Sequence, residues 1–121
     1  MTINKILNSI QSIEKLMNLE LPFKEAYRIY SLTKEINDAR EFFIKEERKL
    51  IEKYNAEIAE NGEIKFNSVE DKNSFIKEYD DLKNLELNEF KPLEINISIL
   101  DKINFTPIDF IALDGVINFI D

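Results

Sequence analysis

The chain has 121 residues, about the length of one ordinary domain, so we expect a single helical domain covering residues 1–121. Its net charge is −8, and residues 61–121 carry −7 of it (13 acidic and 6 basic side chains), so we expect no direct binding to nucleic acid or to a membrane. Cys and His are both absent, which excludes disulfides, thiolate metal sites and the Ser-His-Asp and Cys-His arrangements of hydrolases.

The first predicted element is an amphipathic helix of about four turns that ends before Pro22. Its apolar residues recur at steps of three and four: Ile3, Ile6, Leu7, Ile10, Ile13, Leu16 and Met17. Pro22 cannot extend this helix but fits the first turn of the next one. The segment lacks the cationic start and continuous apolar run of a secretion signal, and no stretch reaches about 20 apolar residues, so we expect a cytoplasmic location.

A long helix is predicted from Pro22 to about Glu60, because this segment contains no Gly and no internal Pro. At ~1.5 Å per residue it would be about 58 Å long, which exceeds the diameter of a domain of this size. One part should therefore project as an arm of a helical hairpin. Glu46 interrupts the apolar seam, which predicts a covering partner there. The seam has an approximate heptad spacing: Ile29, Leu32, Ile36, Ala39, Phe43, Leu50 and Tyr54.

The segment after the long helix is predicted to turn and then return along it. Gly62 is suited to the left-handed position that caps a helix end. Residues 63–66 alternate between polar and apolar, which predicts a short strand. Ser68 has the character of an N-cap for a helix that reaches about residue 85. This second helix should lie antiparallel to the far half of the long helix.

The last third of the chain is predicted to hold one strand and a closing helix. Residues 93–97 alternate, which predicts a strand that pairs with residues 63–66. Thr106 followed by Pro107 is typical of a helix start, and apolar side chains follow as far as Ile120. The predicted fold is mainly α, with α+β as the alternative. It has a long central helix in an antiparallel helical hairpin, N- and C-terminal helices, and a two-stranded ribbon.

Carboxylates are the only remaining groups that could hold a metal ion. Two sets could supply oxygen ligands to Mg²⁺ or Ca²⁺: Glu78 with Asp80 and Asp81, or Glu46 with Glu47. Neither set has the spacing of a calcium loop, and adjacent carboxylates on a helix diverge around its axis. We therefore expect a solvated helix face, no metal, no cofactor and no catalytic residues. The chain is not expected to be an enzyme.

Two groups of side chains are candidates for binding a partner. Neighbouring aromatic residues cannot all share one narrow seam, so some should be exposed and serve as anchors, although a core position is the ordinary interpretation. The ordinary interpretation of the acidic cluster, which extends to Glu89 and Glu94, is a soluble surface. The more specific interpretation is that its carboxylates imitate the charge of nucleic-acid phosphates. The partner-binding candidates are Tyr27, Tyr30, Phe42, Glu70, Asp71, Glu78, Asp80, Asp81 and Glu86.

Several short motifs, taken in order, resemble a family of short proteins from tailed bacteriophages of Gram-positive and related bacteria. The function of that family is generally recorded as unknown. The resemblance covers roughly residues 19–121, and it implies a phage or prophage origin, action inside the bacterial host cell and no known cofactor. The motifs are Leu21-Pro22-x-Lys24-x-x-Tyr27, Lys49-Leu50-Ile51-x-Lys53-Tyr54, Asn61-Gly62-x-Ile64-Lys65-Phe66 and Thr106-Pro107-x-Asp109-x-x-x-Leu113.

Three functions are compatible with these observations. The leading hypothesis is an inhibitor or modulator that binds a host protein with a basic nucleic-acid-binding groove, such as a defence complex of the CRISPR effector kind. The alternative is a phage assembly or structural accessory protein that acts as a homo-oligomer. The third is a metal-dependent enzyme that relies on carboxylates alone.

Overall fold

The computed structural model describes residues 1–121, and it confirms the mainly α fold. Two small sheets accompany the helices. The elements in chain order are α1 (Ile3–Asn8), α2 (Ile10–Met17), α3 (Phe23–Lys53), β1 (Glu57–Ile58), β2 (Ile64–Lys65), α4 (Val69–Lys83), β3 (Leu93–Asn96), a 3₁₀ helix (Ile97–Lys102), α5 (Pro107–Leu113) and β4 (Ile117–Ile120).

The main core lies at one end of the long helix α3, where α1, α2, α5 and the sheet of β3 and β4 pack around its first half. The far half of α3 extends beyond this core. At ~1.5 Å per residue α3 is about 46 Å long, so the main core cannot cover all of it. The core residues are Ile6, Ile13, Leu16, Ile29, Leu32, Ile36, Ile95, Leu100, Leu113, Val116 and Ile117.

The N-terminal segment forms two helices, so the prediction of one four-turn helix was wrong at its centre. The break is at Ser9, which is fully buried between α1 and α2. Its hydroxyl donates a hydrogen bond to the carbonyl oxygen of Ile6 at 2.6 Å. A serine hydroxyl that bonds to a preceding carbonyl competes with the helical hydrogen bonds and bends the chain.

The long helix ends at Lys53, about seven residues before the predicted end. Asn55 takes the left-handed conformation, with φ of 49°. The backbone N–H of Asn55 donates to Glu52, and that of Ala56 donates to Ile51. This is the Schellman arrangement, in which asparagine can replace glycine. The predicted capping role of Gly62 was therefore wrong.

Gly62 instead lies in the turn of a short hairpin between β1 and β2, where its φ is 87°. The predicted strand at residues 63–66 exists as β2, but it pairs antiparallel with β1 and not with the later strand. That later strand, β3, pairs in parallel with β4. The first pair is joined by a tight turn and the second by a crossover through the 3₁₀ helix and α5. The predicted ribbon had joined the wrong two segments.

The predicted antiparallel hairpin of α3 and α4 is confirmed. Ser68 caps α4 as predicted, because its hydroxyl oxygen accepts a hydrogen bond from the N–H of Asp71. Burial raises the pKa of Tyr79 to about 12, and its hydrogen bond to Glu47 adds to the effect.

A second apolar centre holds the two helices together. It consists of the aromatic rings of Phe43, Tyr54, Phe66, Phe75 and Tyr79.

The predicted closing helix is correct at its start and wrong at its end. The helix α5 stops at Leu113, because Asp114 and Gly115 form a type II turn in which Gly115 has φ of 79°. The N–H of Val116 donates to the carbonyl oxygen of Leu113, and this hydrogen bond closes the turn. The chain then continues as β4. The outer face of α5 leaves Ile108 and Ile111 exposed, so this helix covers the core and is not surrounded by it.

Asp109 joins α5 to α2 through a buried cluster of hydrogen bonds. Its carboxylate lies 2.7 Å from the Ser12 hydroxyl and 2.6 Å from the Lys15 ammonium nitrogen. It also accepts from the backbone N–H of Thr106, as in a capping box. Burial alone would raise the pKa of Asp109, but the donors from Lys15, Thr106 and Ser12 outweigh burial and hold it well below its usual range.

We expect Asp109→Asn to lower the free energy of unfolding by about 2 kcal/mol at pH 7, because a charged acceptor is removed from several donors. In the wild type this stabilisation is fully present above the unfolded pKa of about 4, and it is lost as the pH falls towards the lower folded pKa. Urea unfolding across the acid range measures both effects. The exposed Asp101→Asn is the control. Parallel curves for Asp109→Asn and the wild type down to acid pH would contradict this account.

We expect Phe75→Ala to lower the free energy of unfolding by about 3 kcal/mol, because this ring is buried and packs on three other aromatic rings. The neighbouring Ile76 is exposed, so Ile76→Ala should cost less than about 1 kcal/mol. Urea unfolding and amide exchange in α4 are the measurements. Equal losses for the two variants would show that the aromatic cluster does not hold the hairpin together.

Candidate functional site

An open groove runs along the hairpin, between α3, α4 and the segment 86–90 that follows α4. We call it the acidic groove. Its two parts meet at Phe42, which borders both. The apolar lining consists of Ala39, Phe42, Leu50, Leu82, Leu85, Leu87 and Phe90, and the acidic lining of Glu35, Asp38, Glu46, Glu78, Asp81, Glu86 and Glu89.

Helical spacing places the α3 side of the groove. Glu35, Asp38, Phe42, Glu46 and Leu50 follow one another at steps of three and four, so they lie on one face of the helix. This face is next to the one that packs into the core. The residue that interrupted the apolar seam, Glu46, is half-buried in the groove wall and lies 3.0 Å from the Lys49 ammonium group. The predicted covering partner at this position is α4.

The segment 86–90 is held by the beginning of the chain. The N–H of Leu87 donates to the carbonyl of Met1 at 2.8 Å, and the N–H of Ile3 donates to the carbonyl of Leu85 at 3.1 Å. The amino group of Met1 lies 2.7 Å from the Glu86 carboxylate. The third wall of the groove is therefore fixed by residues that are distant in sequence.

The lining of the acidic groove contains seven carboxylates and no Lys or Arg. Three of them have a cationic partner: Glu46 with Lys49, Glu78 with Lys53, and Glu86 with the amino group of Met1. The other four make no ion pair within 4.0 Å, and they are Glu35, Asp38, Asp81 and Glu89. A groove walled by charges of one sign concentrates cationic groups from solution.

Glu78 accepts more hydrogen bonds than any other carboxylate of the groove, and both donors lie at the end of α3. It accepts from the ammonium group of Lys53 at 2.8 Å and from the hydroxyl of Tyr54. These hydrogen bonds, first from Lys53 and then from Tyr54, hold the pKa of Glu78 below its usual range. The same bond to Glu78 raises the pKa of Lys53 and of Tyr54. Glu78 therefore stays ionised across the neutral range.

Phe42 provides an apolar anchor point in the groove. The side chain of Phe43 is buried in the aromatic cluster, while 42% of Phe42 is exposed. The sequence predicted that one member of this pair would be exposed, and the structure identifies it. An aromatic ring at the centre of a charged groove is typical of binding sites.

The structure brings four of the nine partner-binding candidates together in the acidic groove: Phe42, Glu78, Asp81 and Glu86. Glu70 and Asp71 lie in the first turn of α4, near the tip of the hairpin. Asp80 pairs with Lys83 and does not line the groove. Tyr27 and Tyr30 lie elsewhere, on the first turns of α3.

Tyr27 and Tyr30 are both exposed, by 66% and 60%, so the core interpretation of this pair was wrong. Phe23 precedes them at helical spacing and is 81% exposed. At about 100° per residue, these three side chains point away from the core residues of the same helix. We call Phe23, Tyr27 and Tyr30 the aromatic stripe. The two tyrosine rings are 5.9 Å apart.

Sequence reasoning missed Glu35, Asp38, Leu87 and Phe90 as groove residues. The first two could have been found, because they precede Phe42 at helical steps on the flank of the predicted seam. The other two could not, because a loop of the chain reaches the groove only through its backbone bonds to residues 1–3.

No group of three or more carboxylates is arranged so that it could hold a metal ion. The longest helix, α3, has too many charged side chains to cross a bilayer, and the other helices are too short.

The comparisons with known proteins leave the resemblance to the tailed-phage family as a prediction from the motifs alone. No family model, no curated protein sequence and no solved structure matches this chain.

Proposed function

We propose that this chain is a binding protein whose acidic groove takes up a basic, partly apolar surface of another protein. The observation that carries the proposal is the lining of the groove, with seven carboxylates, no basic side chain and an aromatic ring at the centre. Action by binding, without catalysis, is part of the proposal.

Charge and apolar surface have different roles in this binding. The four carboxylates without an ion pair are solvent-exposed, so they attract cationic side chains before contact and speed association. Phe42 and the leucines beside it lose contact with water only when the partner is seated, so they slow dissociation. A partner needs Lys or Arg spaced around an apolar side chain.

Proteins that handle nucleic acids carry such basic surfaces, because they bind phosphate with Lys and Arg. We therefore propose a nucleic-acid-binding protein as the partner, with the acidic groove in the place of the phosphates. The phage-like motifs of the sequence favour a host defence complex, of which a CRISPR effector is one example. On this proposal the chain acts inside the bacterial host cell as an inhibitor or modulator.

The test is capture of proteins from a nuclease-treated bacterial lysate at low and at high salt. We expect a basic nucleic-acid-binding protein to be retained at low salt and lost at high salt. A DNA or RNA oligonucleotide should release it, because both ligands need the same basic surface. Retention that an oligonucleotide does not affect would contradict phosphate mimicry.

We expect Asp38→Lys combined with Asp81→Lys to weaken binding of the captured protein at least about tenfold, or 1.4 kcal/mol, in a titration at low salt. Neither carboxylate has an ion pair, so the fold should tolerate both changes. The matched control is Glu41→Lys with Glu52→Lys, which changes net charge equally on the solvent face of α3. Equal weakening by the two double variants would mean that net charge, and not the groove, determines binding.

A further inference from the structure

The aromatic stripe is a row of three large apolar side chains that the chain leaves in solvent. Phe23, Tyr27 and Tyr30 occupy positions i, i+4 and i+7 of α3. A helix that binds in the groove of another protein presents its anchors at this spacing. None of the three rings is needed to cover the core, since they point away from it.

Four basic side chains lie close to the stripe, and two acidic ones lie among them. Lys24, Arg28 and Lys34 lie in the first half of α3, and all three are exposed. Of the acidic residues nearby, Glu25 pairs with Arg28 at 3.5 Å, and Glu35 borders both the stripe and the acidic groove. Lys91 lines a depression beside Tyr27 and Arg28. The stripe is thus a row of aromatic rings whose border holds more cations than carboxylates.

We propose that the aromatic stripe of one copy of this chain docks in the acidic groove of a second copy. The stripe supplies aromatic side chains and cations, while the groove supplies an apolar floor and a carboxylate rim. The cations beside the stripe complement the carboxylates of the groove, so the contact joins two different faces of the protein. The occupied groove then contains residues from both copies.

The contact has to be intermolecular. Stripe and groove both lie on α3, roughly a third of a turn apart around the axis at about 100° per residue. Because a helix is rigid, the stripe cannot reach the groove of its own chain. A contact between unlike faces leaves one stripe and one groove free on every dimer, so further copies can add head to tail.

The area of the stripe predicts a weak contact. Three aromatic side chains that are mostly exposed offer roughly 400 Å² in total, from about 200 Å² per ring. A stable interface buries about 800 Å² on each partner, so the flanking residues have to supply the rest. Self-association should therefore depend on concentration and appear between about 10 µM and about 1 mM.

This inference rests on the acidic groove of the proposed function, but not on the identity of the host partner. The second copy and the host protein use the same groove. Self-association would therefore compete with partner binding. On dilution the copies would separate, and their grooves would become free for the partner.

The test uses two double variants, each of which disrupts one of the two contact surfaces. Tyr27→Ala with Tyr30→Ala removes the stripe, and Asp38→Lys with Asp81→Lys removes the groove. Sedimentation velocity should show concentration-dependent association of the wild type and a monomer for each variant alone. An equimolar mixture of the two variants should form a 1:1 dimer and nothing larger, because one functional stripe meets one functional groove.

Several outcomes would overturn the proposal. The proposal is wrong if the wild type stays monomeric up to about 1 mM. Loss of association in the stripe variant but not in the groove variant would indicate a symmetric contact of two stripes. A mixture of the two variants that stays monomeric would rule out the head-to-tail contact. Circular dichroism establishes that each variant is folded, which is expected because all four side chains are exposed.

The stripe variant also separates this inference from the proposed function. It keeps the acidic groove, so it should bind the host protein as well as the wild type does. Head-to-tail association without any host partner would leave the inference standing and remove the proposed function. Host binding without self-association would leave the proposed function standing and overturn this inference.

Discussion

The length of α3 is the constraint on which the rest of the structure depends. A helix of 31 residues is longer than the core that α1, α2, α5 and the small parallel sheet can build around it. Its far half would expose Phe43 and Tyr54 to water if no second element covered them. The helix α4 is that element, and the aromatic cluster is the energetic reason for its position. The acidic groove exists because α4 covers one face of α3 and leaves the next face open.

The sequence predicted the long elements well and the long-range pairings poorly. Helical periodicity and the Ser68 cap identify α3, α4 and their antiparallel arrangement, because these depend on neighbouring residues. The pairing of β3 with β4 joins segments about 24 residues apart, and no local pattern indicates which strands meet. The end of α3 was misplaced because Asn55 took the capping role that glycine usually fills.

The candidate site was predictable to the extent that it lies on helices. Charge and position drew attention to Glu78, Asp81 and Glu86, and the pairing of Phe42 with Phe43 required one exposed ring. Two aromatic residues can both fit the spacing of an apolar helix face. Periodicity then cannot show which of them faces the core and which faces solvent. Tyr27 and Tyr30 show this, because their spacing fits a core and their helix has already filled its core face with Ile29 and Leu32.

The hydrogen bonds between residues 1–3 and residues 85–87 are the contacts most distant in sequence among those that shape the acidic groove. A nascent chain emerges with its N-terminus first, so Met1 has no partner until more than 80 later residues have been made. The hairpin of α3 and α4 can form earlier, since its contacts are closer in sequence. The third wall of the acidic groove forms only when the segment after α4 meets the first residues. Closing this wall orders a longer loop of chain than closing the hairpin does, so it has the larger entropy cost.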